Sequence, residues 1–93
     1  MLFCIIGTDK EGALEKRLAN RDAHLKHWGD SGTVKLGGPF TSDDGEKMIG
    51  SMLVIDVEDR AAAQKLADAD PYKVNGDFES VDVRAWKWLL KDK

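Results

Sequence analysis

The chain opens on an apolar run, Leu2-Phe3-Cys4-Ile5-Ile6-Gly7-Thr8, made largely of strand formers and broken by the polar segment Asp9 to Gly12. From Ala13 to about Gly29 the rhythm changes. Leu14, Leu18, Leu25 and Trp28 recur at helical spacing, which predicts an amphipathic helix with those four residues turned to one side. Gly29-Asp30-Ser31-Gly32 ends it. Thr33 to Leu36 reads as a second strand, stopped at Gly37-Gly38-Pro39 because proline cannot donate to a sheet ladder. Thr41 to Lys47 is polar and carries the turn sequence Asp43-Asp44-Gly45. Met48 to Val57 predicts a third strand. Glu58-Asp59 then offers a cap for a helix from Arg60 to about Ala69, whose alanines and Leu66 suit close packing on a sheet. Asp70-Pro71 stops that helix, since the residue before proline is pushed out of the helical region. A last strand fits Phe78 to Leu90.

The order is β-α-β-β-α-β, the ferredoxin-like α+β arrangement: a four-stranded antiparallel sheet with both helices on one face. In such a fold the other face should be polar and the strands should alternate. Residues 2 to 6 are apolar throughout, however, and 52 to 55 read Met-Leu-Val-Ile. The last strand carries Val81, Val83 and Ala85 on one side and Trp86 and Trp88 on the other. A second sheet laid on the first would cover these residues, so a homodimer joined sheet to sheet is expected.

Composition narrows the field. With 93 residues, the chain is expected to be one domain spanning 1–93. A chain of this size has little core to spare, and a partner chain is the support that fits best. The single cysteine, Cys4, allows no internal disulfide. It sits between Phe3 and Ile5, where a buried small hydrophobe is expected. Lys and Arg number 14 against 17 for Asp and Glu, a net charge of −3, and no basic stripe is present, so no nucleic-acid partner is expected. The opening apolar run is too short to span a membrane and no basic residues precede it. A cytoplasmic protein without a membrane partner is the expectation.

The first helix carries the most informative anomaly. With Arg17 at zero on the helical wheel, Arg21 falls near 40°, His24 near −20° and Trp28 near 20°, while the leucines lie between about 60° and 100°. Arg21 is thus expected within the apolar stripe, with Arg17 and His24 along its edge. A cation facing a sheet is costly unless it is paired or faces a cleft. Two readings stand: stems that snorkel to the domain edge, or a pocket with a basic floor suited to a small anionic or enolic ligand. His24 and His27 are three apart, yet no third residue is spaced to complete a metal site, and no metal is expected. Asp70, before a proline at a helix end, is either a turn residue binding nearby backbone N–H groups or part of a site. Gly37-Gly38-Pro39-Phe40 either brings backbone close to a ligand or is a plain strand end.

Arg21-Asp22-Ala23-His24-Leu25, Gly38-Pro39-Phe40, Gly50-Ser51 and Ala69-Asp70-Pro71-Tyr72, in that order, resemble the YciI-like (YCII-related) family across nearly the whole chain. The resemblance implies a ferredoxin-like fold dimerised through its sheets into an α+β barrel. It also implies a His-Asp pair at a cleft, carried here to His24 and Asp70. Substrate contacts are expected at Arg17, Arg21, Gly38, Pro39, Ser51 and Tyr72. Two functional classes follow. In the first, the chain is a small enzyme without metal or organic cofactor, using the pair for general acid–base chemistry of hydrolase, lyase or isomerase type on a small cyclic or aromatic metabolite. In the second, it is a non-catalytic dimeric module that binds a small ligand or serves as an accessory protein.

Overall fold

The computed structural model describes residues 1–91; Asp92 and Lys93, the last two positions of the expected domain, lie outside the described residues. Seven elements follow one another: β1 (Leu2–Asp9), α1 (Leu14–Ser31), β2 (Val34–Thr41), β3 (Met48–Asp56), α2 (Arg60–Asp68), α3 (Pro71–Val74) and β4 (Phe78–Trp86). The strands form one antiparallel sheet in the order β2-β3-β1-β4. The two apolar segments, β1 and β3, are its centre. This is the ferredoxin-like α+β fold, with the helices packed on one face.

Register decides which side chains meet the helices. Phe3, Ile5, Leu53 and Ile55 point to the helical side and join Trp28, Ala63 and Ala67 in the core, with Val81 and Val83 packed against it. Ala63 and Ala67 carry no bulk beyond Cβ, which lets α2 sit close to the sheet. Its start is fixed by Asp59, whose carboxylate accepts from the Ala62 N–H at 2.9 Å. The alternate residues, Cys4, Ile6, Met52 and Val54, lie on the opposite face, since successive strand residues point to opposite sides. Cys4 is buried and unpaired.

Three elements differ from expectation. Strand β2 does not stop at Leu36 but continues through Gly37-Gly38-Pro39 to Thr41. It is an edge strand, and a proline whose missing N–H would have faced outward costs the ladder nothing. Strand β4 ends at Trp86 rather than Leu90. A one-turn helix, α3, follows Asp70 directly. Pro71 occupies its first position, where proline's fixed φ is favourable and its absent N–H has no helical partner to lose.

The largest correction concerns α1. Leu14, Leu18 and Leu25 do not face the core; Leu18 is 54% exposed and Leu25 51%. The buried arc is instead Arg17, His24 and Trp28, with Ala13 buried at the residue that precedes the helix. Arg21, placed within the stripe by the leucine pattern, is exposed. Arg17, placed at its edge, is inside. The helix has turned its polar functional residues inward and left the leucines as a flank. That is tolerable because almost every inward polar atom has a partner, as the site shows.

Candidate active site

Between α1 and the β2–β3 side of the sheet lies a cavity of about 480 Å³. Arg17, Arg21, His24, Ser51 and Tyr72 contribute its polar lining; Leu25, Val34, Met48 and Leu53 supply apolar walls, and Gly37-Gly38-Pro39 forms a backbone edge. Gly37 lets β2 lie close against Leu53, for a Cβ there would come within 2.6 Å of Leu53 Cδ2. Among the described residues no carboxylate lines the cavity.

His24 Nδ1 lies 2.8 Å from Asp70 Oδ1. Asp70 is the N-cap of α3 and 3% exposed. Its Oδ1 also accepts from the Tyr72 backbone N–H at 3.0 Å, and its Oδ2 accepts from Trp28 Nε1 at 3.0 Å. Burial alone would push this carboxyl up. The hydrogen bonds from His24, Trp28 and Tyr72, together with the nearby imidazole, outweigh it and hold Asp70 below the ordinary carboxylate range. An ionised carboxylate only accepts, so Nδ1 is the protonated nitrogen and Nε2 of the neutral ring carries the free lone pair. Asp70 therefore caps the turn, as one sequence reading had it, and also holds the His24 ring.

Arg17 is only 3% exposed. Its Nη1 donates to Asp9 Oδ1 and Oδ2 at 3.0 and 3.2 Å, and its Nη2 donates to Ser51 Oγ at 2.7 Å. Its Nε is buried with no partner among the described residues. Burial pushes Asp9 up and the Arg17 charge pulls it back, the balance remaining above the usual value; a second buried acid, Asp77, adds to the rise. Asp77 is itself held by Asn20 Nδ2 at 3.1 and 3.3 Å. Because Ser51 Oγ accepts from Arg17, its own O–H is free to donate to a guest in the cavity.

Every residue expected to contact substrate lies at the cavity, but in unequal ways. Arg21 reaches it from the exposed side of α1. Gly38 and Pro39 border it through the extended β2. Tyr72 lines it while only 2% exposed; its ring stacks on His24, with centroids 3.9 Å apart and planes 15° from parallel. The Arg17 guanidinium carbon lies 4.6 Å from the same ring centre. His27 is not at the cavity: its Nε2 meets the Leu66 carbonyl at 2.9 Å. Among the described residues no group of three or more His, Cys, Asp or Glu is placed to hold a metal ion, and no helix is long and apolar enough to cross a membrane. Asp9, Asn20 and Asp77 were not singled out by the sequence. A buried arginine demands a counter-charge, but Asp9, Glu11, Asp77 and Glu79 all sit within two residues of the end of β1 or the start of β4, and nothing local separates them.

A family model described as the YCII-related domain matches residues 1–87. The chain belongs to the YCII-related family. Proteins named YciI from Escherichia coli O6:H1 strain CFT073 and from Shigella flexneri are each 38% identical over 95 residues, covering 94% of this chain and 97% of each relative. Among solved structures, a 5-chloro-2-hydroxyhydroquinone dehydrochlorinase from Burkholderia phenoliruptrix AC1100, in complex with 2,5-dihydroxybenzoquinone, superposes with a TM-score of 0.84 at 32% identity, covering 94% of each chain. That structural relative is named for a small chlorinated, hydroxylated aromatic ring.

Proposed function

We propose that this YCII-related protein is a small-molecule enzyme in which His24, oriented by Asp70, moves a proton on a small cyclic or aromatic substrate that carries an oxyanion. The observation behind this reading is the Asp70–His24 hydrogen bond beside a cavity whose charged lining is entirely cationic or neutral. Asp70 fixes the tautomer, so that Nε2 is the nitrogen left to accept a proton from a substrate O–H or C–H. The imidazolium formed is stabilised by the same carboxylate and can return the proton to a leaving group or to carbon. Positioned general acid–base groups of this kind typically contribute about 10² to 10⁴-fold in rate.

Arg17, Arg21 and Ser51 complete the chemistry. Removing a proton from a phenol or an enolisable ring leaves charge on oxygen. The two guanidinium groups favour that charge electrostatically, and the Ser51 hydroxyl donates to it. The wall of Leu25, Val34, Met48 and Leu53 suits a flat ring and thins the water around it. We further propose that the active form is a homodimer joined across the sheet face opposite the helices, which leaves the cavity on the helical side of each copy.

The test uses 2,5-dihydroxybenzoquinone as a binding probe and chlorinated hydroxyhydroquinones as trial substrates. Calorimetry should detect binding of the probe to the wild-type protein. His24→Gln should leave that binding within a few-fold and lower turnover by at least about 10². Turnover at the wild-type rate in His24→Gln would remove the histidine from the mechanism. Probe binding with no turnover of any ring substrate would instead favour the non-catalytic binding module.

A further inference from the structure

Tyr72 has almost no surface to offer a ligand, yet it is wedged against the two groups on which the proposed chemistry rests. Arg17 and His24 are seven residues apart on α1, two turns and about 10.5 Å along its axis. That leaves a slot the depth of one aromatic ring in contact on both sides. A nearly parallel imidazole at 3.9 Å covers one face of the Tyr72 ring, so the guanidinium at 4.6 Å from its centre lies against the other. We propose that Tyr72 is a positioning residue: clamped between Arg17 and His24, its ring sets the plane of the imidazole and so the direction in which Nε2 points. The inference rests on the reading above only in taking His24 as the group that moves the proton.

The hydrogen bond at Nδ1 restrains the last torsion of His24 through a single contact, and the ring is freed whenever that bond stretches or breaks. The last torsion of histidine is soft and roughly two-fold, so a ring held at a single point can rock and flip. Contact over its whole face removes that freedom. The clamp is itself rigid on every side. Arg17 is tied to Asp9 and Ser51. The Tyr72 ring is met edge-on by Phe78, with centroids 5.6 Å apart and planes 79° apart. Phe78 in turn rests on Gly7, where a Cβ would come within 2.5 Å of the ring. The Tyr72 backbone N–H, not its side chain, bonds Asp70, so changing the side chain leaves the orienting carboxylate and its cap in place.

The test is spectroscopic and needs no substrate. Long-range ¹H–¹⁵N correlations of the labelled protein distinguish imidazole protonated at Nδ1 from imidazole protonated at Nε2. In the wild type, the carbon-bound ring protons of His24 should be shifted upfield by the Tyr72 ring current, with a single Nδ1–H tautomer. Tyr72→Phe should preserve both signatures. Tyr72→Leu and Tyr72→Met should keep the fold but give a mixture of tautomers. Unshifted His24 protons in the wild type would overturn the proposal without recourse to any variant. So would a folded Tyr72→Leu or Tyr72→Met protein with one unaltered Nδ1–H tautomer. Should neither aliphatic variant fold, a Tyr72→Phe protein that loses the upfield shift or the single tautomer also overturns it, and one that keeps both supports it. None of these readings depends on whether His24→Gln loses turnover, so the positioning role and the catalytic role fail separately.

Discussion

Trp28 Nε1 donates at 3.0 Å to Asp70 Oδ2, the carboxylate oxygen that His24 does not use. One buried carboxylate therefore serves three donors: a core indole, a cavity histidine and the first turn of α3. This joins the stability of the fold to the orientation of the site, because the residue that directs His24 also fastens α1 to the α2–α3 junction.

Asp70→Asn separates the two duties. An amide has one acceptor oxygen where the carboxylate has two, and its NH₂ would confront the indole N–H or the imidazole N–H, both of which are donors. A loss of about 2 to 3 kcal/mol in unfolding free energy is expected by urea denaturation at neutral pH. The loss should depend on pH. Asp70 is depressed in the folded protein, so its contribution is fully present above the unfolded value of about 3.9 and disappears as pH falls through the lower folded value. The gap between wild type and Asp70→Asn should close as pH falls below about 4. A gap that widens in acid would contradict this sign.

The strand order, the central pairing of β1 with β3 and both long helices were legible because apolar runs and caps are local signals. The inward face of α1 was not. Helical periodicity finds the side with most leucine, and here the side that faces the sheet carries Arg17, His24 and Trp28. Hydrophobic patterning locates a core only where the interior is apolar, and this interior is partly a functional site whose polar atoms are paired across elements distant in sequence, as Arg17 is with Ser51. Strand β2 was cut short for a related reason. Whether Pro39 breaks a strand depends on whether its N–H side has a neighbour, and an edge position is a property of the sheet rather than of the segment.

The two arginines should behave differently. Arg21 is exposed, and Arg21→Met is expected to change stability by no more than about 0.5 kcal/mol while weakening binding of the anionic probe. Arg17→Met strands Asp9, whose side chain is only 6% exposed, and breaking one side of a buried pair costs about 3 to 5 kcal/mol. Without the guanidinium, nothing opposes the burial that already pushes Asp9 up. The acid then takes up a proton more readily when folded, so the stability of Arg17→Met relative to wild type should recover as pH falls. Urea denaturation of both variants at pH 7 and pH 5 checks the ordering; equal losses for the two at pH 7 would contradict it.

Gly7→Ala tests how tightly the aromatic stack behind the site is packed. The added methyl would meet Phe78 ring atoms at 2.5 to 2.8 Å, and Phe78 has Tyr72 against it. Overpacking of this kind costs about 1 to 3 kcal/mol. The displaced ring should also disturb the His24 resonances although Gly7 does not line the cavity. Thermal unfolding and the His24 proton shifts check the two effects together. A fully stable Gly7→Ala with unmoved His24 signals would mean that Phe78 has somewhere else to go.

Association across the sheet face opposite the helices is the remaining expectation. Opposite the helices, Cys4, Ile6, Met52 and Val54 occupy the centre, Leu36 and Phe40 extend the surface along β2, and Trp86 lies beside Leu2 at the β4 edge. Phe40 and Trp86 are 41% and 40% exposed. Cys4 and Val54 are buried here, but Ile6 and Met52 are only half-buried; a chain of 10.3 kDa has little core to spare, and apolar surface of this kind suits association. Light scattering at micromolar concentration should give about twice the chain mass, the factor set by a closed two-fold pair. Ile6→Lys and Met52→Lys place an unpaired charge at the middle of that surface, where burial against a second sheet is prohibitive. Each should give a monomer at concentrations where the wild type is paired, with lower thermal stability and a blue-to-red shift in tryptophan emission as Trp86 becomes wetted. A wild-type protein that scatters as a monomer, or a Met52→Lys variant that pairs as before, would place the contact elsewhere.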